Sequence, residues 1–147
     1  MNFSNQTFLP PKNYNNRNWL IIDCKGQKLG RLATLVTALL KGKKKPYYFP
    51  SIDVGDSVIL INAELIILNK ENTHYIVNHP GRPGRSLKLK KVSECLPKFT
   101  IERAVKKMLA KTETKRLMRR LKIYNQTNHP HDAQNPIKVN LDGIIRL

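Results

Sequence analysis

Acidic side chains are scarce in this sequence. Its 147 residues hold 10 Asp and Glu against 27 Lys and Arg, for a formal net charge of +17 and an isoelectric point near 10.2. Two-metal nucleases need clustered carboxylates, and Asp53 and Asp56 are the only close acidic pair. In Asp53-Val54-Gly55-Asp56 an Asp near Gly is more often a turn-former. Cysteine is scarce too. Cys24 and Cys95 stand far apart, which excludes a disulfide framework and fits a reduced compartment. No CxxC accompanies His74, His79, His129 and His131, and His129-Pro130-His131 is not zinc spacing, so no metal and no cofactor are expected. Nucleophile elbow and P-loop are both missing. The chain is expected to have no catalytic residues and no small-molecule substrate. No apolar run approaches the ~20 residues of a membrane span, so no membrane partner is expected. Residues 1–18, MNFSNQTFLPPKNYNNRN, lack the apolar segment of a signal peptide and the Arg-rich amphipathic pattern of a transit peptide. The expectation is a protein that works in the compartment that makes it.

What is abundant is positive charge, and a compact fold carries that self-repulsion poorly unless a polyanion neutralises it. Nucleic acid is the dense polyanion whose binding releases condensed counterions. The composition is nonetheless globular, with 40% hydrophobic residues, and the length suits one domain with a buried core. Residues 1–18 read as an extended arm, since Pro10-Pro11 blocks helix and no apolar periodicity appears. Residues 19–137 read as one domain and 138–147 as a tail.

The periodicity predicts the elements. Trp19-Leu20-Ile21-Ile22-Asp23 reads as a buried strand. From Leu29 the spacing turns helical through Leu32, Ala33, Val36, Leu39 and Leu40, with Gly42 as the stop. Ser57 to Ile61 reads as a second buried strand. Leu65 to Leu68 is another apolar run, and Tyr75 to Val77 is a peripheral strand. A strand–helix–strand order suggests a parallel βαβ unit. Ile101, Ala104, Val105, Met108 and Leu109 form a helical stripe whose start is placed at Thr100 and Glu102. A second helix is expected from Glu113 to Leu121, with Leu117, Met118 and Leu121 inward and Lys115, Arg116, Arg119 and Arg120 outward. Ile123-Tyr124 reads as a short strand end, and the rest as irregular.

The cations fall into three clusters, Lys41–Lys45, Arg82–Lys91 and Lys106–Lys122. If they converge, they form a phosphate-tracking footprint, and such contacts position a protein without reading sequence. A surface that is merely solvated normally mixes both signs. Tyr47, Tyr48 and Phe49 follow the first cluster, and rings beside cations can stack on splayed bases. The Gly81-Arg82-Pro83-Gly84 loop is a plain turn by default; Arg82 and Arg85 favour RNA contact. The residues expected to touch RNA are Lys43, Lys44, Lys45, Tyr48, His79, Arg82, Arg85, Lys88, Lys106, Lys107, Lys115, Arg116, Arg119 and Arg120.

Several blocks in order resemble the family of large-subunit ribosomal protein thirteen in its bacterial and plastid form. They are Trp19 to Asp23, Gly26-Gln27-Lys28-Leu29-Gly30-Arg31-Leu32-Ala33-Thr34, Lys41-Gly42-Lys43, Asp53-Val54-Gly55-Asp56, Ile61-Asn62-Ala63 and Asn78 to Gly84. Arg103 to Leu109, Leu121 to Tyr124, Asn128 to His131 and Ala133 to Pro136 complete the series. There are departures. Lys107-Met108-Leu109-Ala110 stands where Gly-Met-Leu-Pro is usual, Thr114 and Lys115 replace glycines, and Gly84-Arg85 replaces a double glycine. The resemblance implies an α/β fold, a three-layer α/β/α arrangement around a small, mainly parallel sheet. It implies a non-catalytic protein bound to large-subunit rRNA early in assembly, beside neighbouring large-subunit ribosomal proteins. The arm Thr7 to Asn18, the His-Pro-His segment and the A/T-rich codon usage implied by Asn and Lys point to the plastid stroma, with the bacterial cytoplasm as the alternative. Two other readings stay open: an Mg-dependent nucleic-acid-cleaving enzyme using Asp53, Asp56 and a histidine, and a free regulatory RNA-binding protein.

Overall fold

Two apolar runs form the centre of the molecule, as neighbouring parallel strands β1 (Trp19–Asp23) and β2 (Ser57–Ile61). The structure is a computed structural model, and it describes residues 17–69, 71, 73–77, 81, 84 and 87–139. Strands covered on both faces read as unbroken apolar sequence rather than as alternation. Ser57, Val58, Ile59 and Leu60 are accordingly all buried. On the flanks lie β5 (Leu121–Ile123), parallel to β2, and β6 (Ile137–Lys138), parallel to β1. The sheet order is therefore β5-β2-β1-β6, all parallel.

Helix α1 (Leu29–Lys41) makes the crossover from β1 to β2. Its apolar stripe, Leu32, Ala33, Leu35, Val36, Leu39 and Leu40, is buried and packs with Leu20, Ile22, Val58, Leu60, Leu121 and Ile123 in one core cluster. Each such side chain contributes roughly 1.5–3 kcal/mol when fully removed from water. Gly42 ends α1 with φ 75°, in the left-handed region, and the Lys43 amide closes the cap by donating to the Ala38 carbonyl at 2.9 Å. Val54 presses on the glycine: an added Cβ would lie 2.8 Å from its Cγ2.

Helices α2 (Pro97–Met108) and α3 (Lys111–Met118) follow in succession. Ile101 and Val105 of α2 and Leu117 of α3 join the same core. Helix α2 begins at Pro97, three residues before the expected start. Proline suits the first helical turn because its missing N–H needs no partner there. Thr100 lies inside that first turn, buried, with its amide donating to the Leu96 carbonyl at 3.2 Å. Helix α3 stops at Met118, three residues short of the expected end, so that Leu121 can enter the sheet.

By strand alternation Trp19 and Ile21 point away from the α1 face. The opposite face, to which they point, is covered by the crossover from β5 to β6. His131 stacks on Trp19 with ring centroids 5.1 Å apart, and its Nε2 lies 2.8 Å from the Tyr124 hydroxyl. The only helical turn in this crossover is the 3₁₀ turn Asp132–Gln134. The fold is thus mixed α/β around a small parallel sheet, with the helices on one face and a mainly irregular crossover on the other.

Several expectations from the sequence need correction. The Leu65–Leu68 run, read only as apolar, lies outside the named strands. It begins within a 3₁₀ turn, Ala63–Leu65, and makes one isolated bridge, Lys28 to Ile67. The region after Asn125, expected to be irregular, contributes β6. A second sheet pairs β3 (Thr73–Val77) antiparallel with β4 (Leu87–Lys91), so the end of the second basic cluster is a strand. Arg17 and Asn18, assigned to the arm, are tied to the domain: the Asn18 amide donates to Asp56 Oδ1 at 3.0 Å, and the Asn18 carbonyl accepts from Ser57.

Candidate nucleic-acid interface

Two of the three cation clusters meet in space. The first leaves the C-terminus of α1, where the helix dipole favours positive charge. The third lies on α2, α3 and the turn after it. Lys41 pairs with Glu113 of α3 at 3.8 Å. Tyr48, half-buried, shares a small cleft with Lys41, Asp53, Glu113 and Arg116. Lys43 and Lys44 are exposed just beyond α1. The Tyr47 ring lies under Lys45, with Nζ 5.8 Å from its centroid.

Asp53 and Asp56 are what let these cations approach one another. Asp53 Oδ1 accepts from Arg120 Nη2 at 2.7 Å, while Oδ2 faces Arg116 Nε at 3.3 Å and Arg17 at 3.6 Å. Asp56 pairs with Lys45 and caps the Asn18 amide. Both carboxylates are thus committed to cations of the fold itself. Asp53 and Glu113 both line the small cleft beside Tyr48, each paired there with a cation.

Arg120 departs from the outward placement expected of it. Its side chain is only 11% exposed. Besides Asp53 it donates to the Gly55 carbonyl at 2.8 Å and the Leu40 carbonyl at 3.3 Å. It ties the turn after α3 to the end of α1 and to the 53–55 loop. Lys45 is likewise drawn inward, 11% exposed, by Asp56. The outward position fails for both because a carboxylate in the neighbouring loop competes for them. Arg116 keeps a 60% exposed side chain while touching Asp53. Lys106, Lys107, Lys115 and Arg119 are exposed.

Helices α2 and α3 flank an open cleft of about 720 Å³. Lys106, Lys115 and Arg119 line it, and so do Phe99, Arg103 and Lys111. Those last three are not among the site residues expected from sequence. Their signal is nevertheless present, since Phe99, Arg103 and Lys106 share one helical face by i, i+4, i+7 spacing, and Lys111, Lys115 and Met118 repeat it. His79, Arg82 and Arg85 lie outside the described residues, as does the side chain of Lys88, whose backbone belongs to β4. Gly81 and Gly84 have φ of 95° and 80°, conformations that favour glycine.

Neither cysteine takes part. Cys24 is buried, and burial, with a smaller push from Asp23, raises its thiol to about 12. Among the described residues no group of three or more His, Cys, Asp or Glu could hold a metal ion. His129 and His131 are engaged locally: His129 Nδ1 lies 3.3 Å from Asp132 and accepts from the His131 amide.

The sequence profile described as ribosomal protein L13 matches residues 17–130. The chain belongs to this family. A protein of Trieres chinensis named large ribosomal subunit protein uL13c is 48% identical over 136 residues, covering 92% of this chain and 96% of its own. One of Trichodesmium erythraeum named large ribosomal subunit protein uL13 is 41% identical over 145 residues, with 95% and 96% covered. A Thermoanaerobacter protein of that name is 42% identical over 131 residues, covering 86% of this chain and 92% of its own. The L13 match takes in β1 through α3 and β5 and ends at Pro130, ahead of β6. Within this frame the departures of α3 acquire positions: Thr114 is buried, donating its hydroxyl to the Ala110 carbonyl at 2.7 Å, and Lys115 faces the cleft.

Proposed function

We infer that the protein is a structural component of the large ribosomal subunit, which binds large-subunit rRNA and supports its assembly. Membership of the L13 family carries this reading. The physical support is the meeting of the α1 terminus with α2 and α3, where exposed cations crowd one region and Asp53, Asp56 and Glu113 are paired with cations of the fold. Phosphate neutralisation is the mechanism: the cations position the protein on folded RNA and hold RNA segments together. Lys43, Lys44, Lys106, Lys107, Lys115, Arg116 and Arg119 make backbone contacts, and Tyr48 makes a ring contact. His79, Arg82, Arg85 and Lys88 are proposed as RNA contacts on sequence grounds. Neighbouring ribosomal proteins cover part of the remaining surface. The plastid stroma is the proposed compartment, on the Asn- and Lys-rich composition and the similarity to uL13c. Commitment of Asp53 and Asp56 to Arg120, Arg116, Lys45 and the Asn18 amide speaks against the nuclease reading.

Co-sedimentation decides the matter. Tagged chain expressed in a plastid-bearing cell is expected in the large-subunit fraction at physiological salt. Recovery in the unbound fraction would overturn the ribosomal reading and favour a free RNA binder.

A further inference from the structure

The cleft between α2 and α3 has a shape that phosphate tracking along a duplex does not require. It is concave, and its volume of about 720 Å³ falls within the range of roughly 300–1,000 Å³ typical of small-ligand sites. Its walls are unequal in character. Arg103, Lys106, Lys111, Lys115 and Arg119 supply positive charge, against Glu102 as the one acid lining it. Phe99 and Met118 supply apolar surface, and Phe99 remains 39% exposed. A half-exposed ring beside five cations offers a stacking face and anion-binding groups in one place. It suits a ligand that is flat and apolar in one part and anionic in another. A paired duplex shows phosphates on its outside but keeps its base faces stacked within. An extruded base presents both features together, and aromatic side chains are the usual surface for it.

We propose that this cleft receives a single unpaired nucleotide of the bound RNA. The base lies against Phe99 and Met118, and the flanking phosphates lie on Lys106, Lys111, Lys115 and Arg119. The proposal rests on the rRNA-binding reading above and specifies what that RNA presents here. Glu102 sets an upper limit on anion density and leaves room for a base-edge donor on the α2 wall.

The test uses the full chain and two short hairpin RNAs, identical except that one carries a single bulged 2-aminopurine. The bulged hairpin is expected to bind about tenfold more tightly, as one base–aromatic stack supplies, with its fluorescence quenched on binding. Phe99→Leu keeps apolar bulk without a ring; it is expected to abolish quenching and preference while leaving the paired hairpin's affinity unchanged. Lys111→Gln is expected to flatten the log–log salt slope for the bulged hairpin by roughly 0.7. Circular dichroism checks that both variants stay folded. Equal affinity for the two hairpins overturns the proposal, and so does quenching that survives Phe99→Leu. Displacement of the bulged RNA by an equal concentration of a glutamate octamer also overturns it, in favour of an acidic peptide. Equal, salt-sensitive binding of both hairpins together with normal co-sedimentation would leave the ribosomal reading intact. Binding of neither hairpin would count against both.

Discussion

A cation in this protein can face either RNA or the protein itself, and the side chain's partners decide which. Arg120 and Arg119 are adjacent, yet Arg120 holds the Gly55 and Leu40 carbonyls and Asp53, while Arg119 stands exposed. Arg120→Met is therefore expected to lower unfolding stability by about 3 kcal/mol, because it leaves the Gly55 and Leu40 carbonyls without their side-chain donor and Asp53 with only its more exposed partners Arg116 and Arg17. Arg119→Met should change stability by no more than about 0.5 kcal/mol and weaken RNA binding instead. Urea denaturation and filter binding on the same two variants would show the split, and the reverse pattern would refute it. Gly55 belongs to the same junction. A Cβ there would sit 1.8 Å from the Leu40 carbonyl oxygen, so Gly55→Ala must displace backbone, at a cost on the order of 3 kcal/mol or more. Cys24 gives a second residue-level expectation. Its thiol is raised to about 12, so the native state keeps a proton that the unfolded state releases from about pH 8.5 upward. Stability falls with pH across that window, because the unfolded state then binds fewer protons. At pH 8 a thiol reagent should modify only Cys95, which is half-buried, in the native chain and both cysteines after denaturation. Two fast thiols in the folded protein would contradict this.

Elements built on burial are legible in the amino-acid pattern; elements built on backbone pairing are not. β1 and β2 appear as apolar runs because both faces are covered. α1 is legible because only one face is. β6 is two residues long, with both side chains exposed. It exists through pairing with Leu20 and Ile21 of β1, and no local pattern announces such pairing. β4 alternates Leu and Lys, a strand signature hidden within a basic cluster. Charge counting misplaces Arg120 because it does not locate the acid that claims it, 67 positions away in sequence. The cleft is half visible: Lys106, Lys115 and Arg119 stand out as charges, but Phe99 and Arg103 look like ordinary positions of an amphipathic helix. Between its backbone-bonded ends, the crossover bearing His131 is fastened by a ring stack on Trp19 and by the Tyr124 hydroxyl contact. Trp19→Leu should keep β1 and remove the stack. Hydrogen exchange is expected to quicken at the amides of Tyr124 and Val139, which bond to Leu60 and Ile21, while protection within α1 persists. Uniform loss of protection would mean that the crossover and α1 do not open separately.

At the scale of the whole molecule, salt acts on two properties in opposite directions. The free chain carries +17, and its self-repulsion favours the expanded state. Added salt screens that repulsion, with a Debye length falling from ~30 Å at 0.01 M to ~8 Å at 0.15 M. The melting temperature of the protein alone should therefore rise as sodium chloride increases over this range. RNA binding responds inversely, because each neutralised phosphate releases counterions and the affinity drops by a slope of roughly 0.7–0.9 per contact. At low salt, RNA at a hundred times its dissociation constant adds about 2.7 kcal/mol to the folded state. For a chain of this size that corresponds to a rise of roughly 5–10 °C in melting temperature. The rise should shrink as salt increases and vanish near 1 M, where the two melting curves converge on a protein more stable than the free chain in dilute buffer. Differential scanning fluorimetry over a salt series, with and without an RNA hairpin, measures both trends in one experiment. A free chain whose melting temperature falls with added salt would mean that its cations already have partners within the fold. An RNA-induced shift indifferent to salt would mean that phosphate neutralisation is not what holds the complex together.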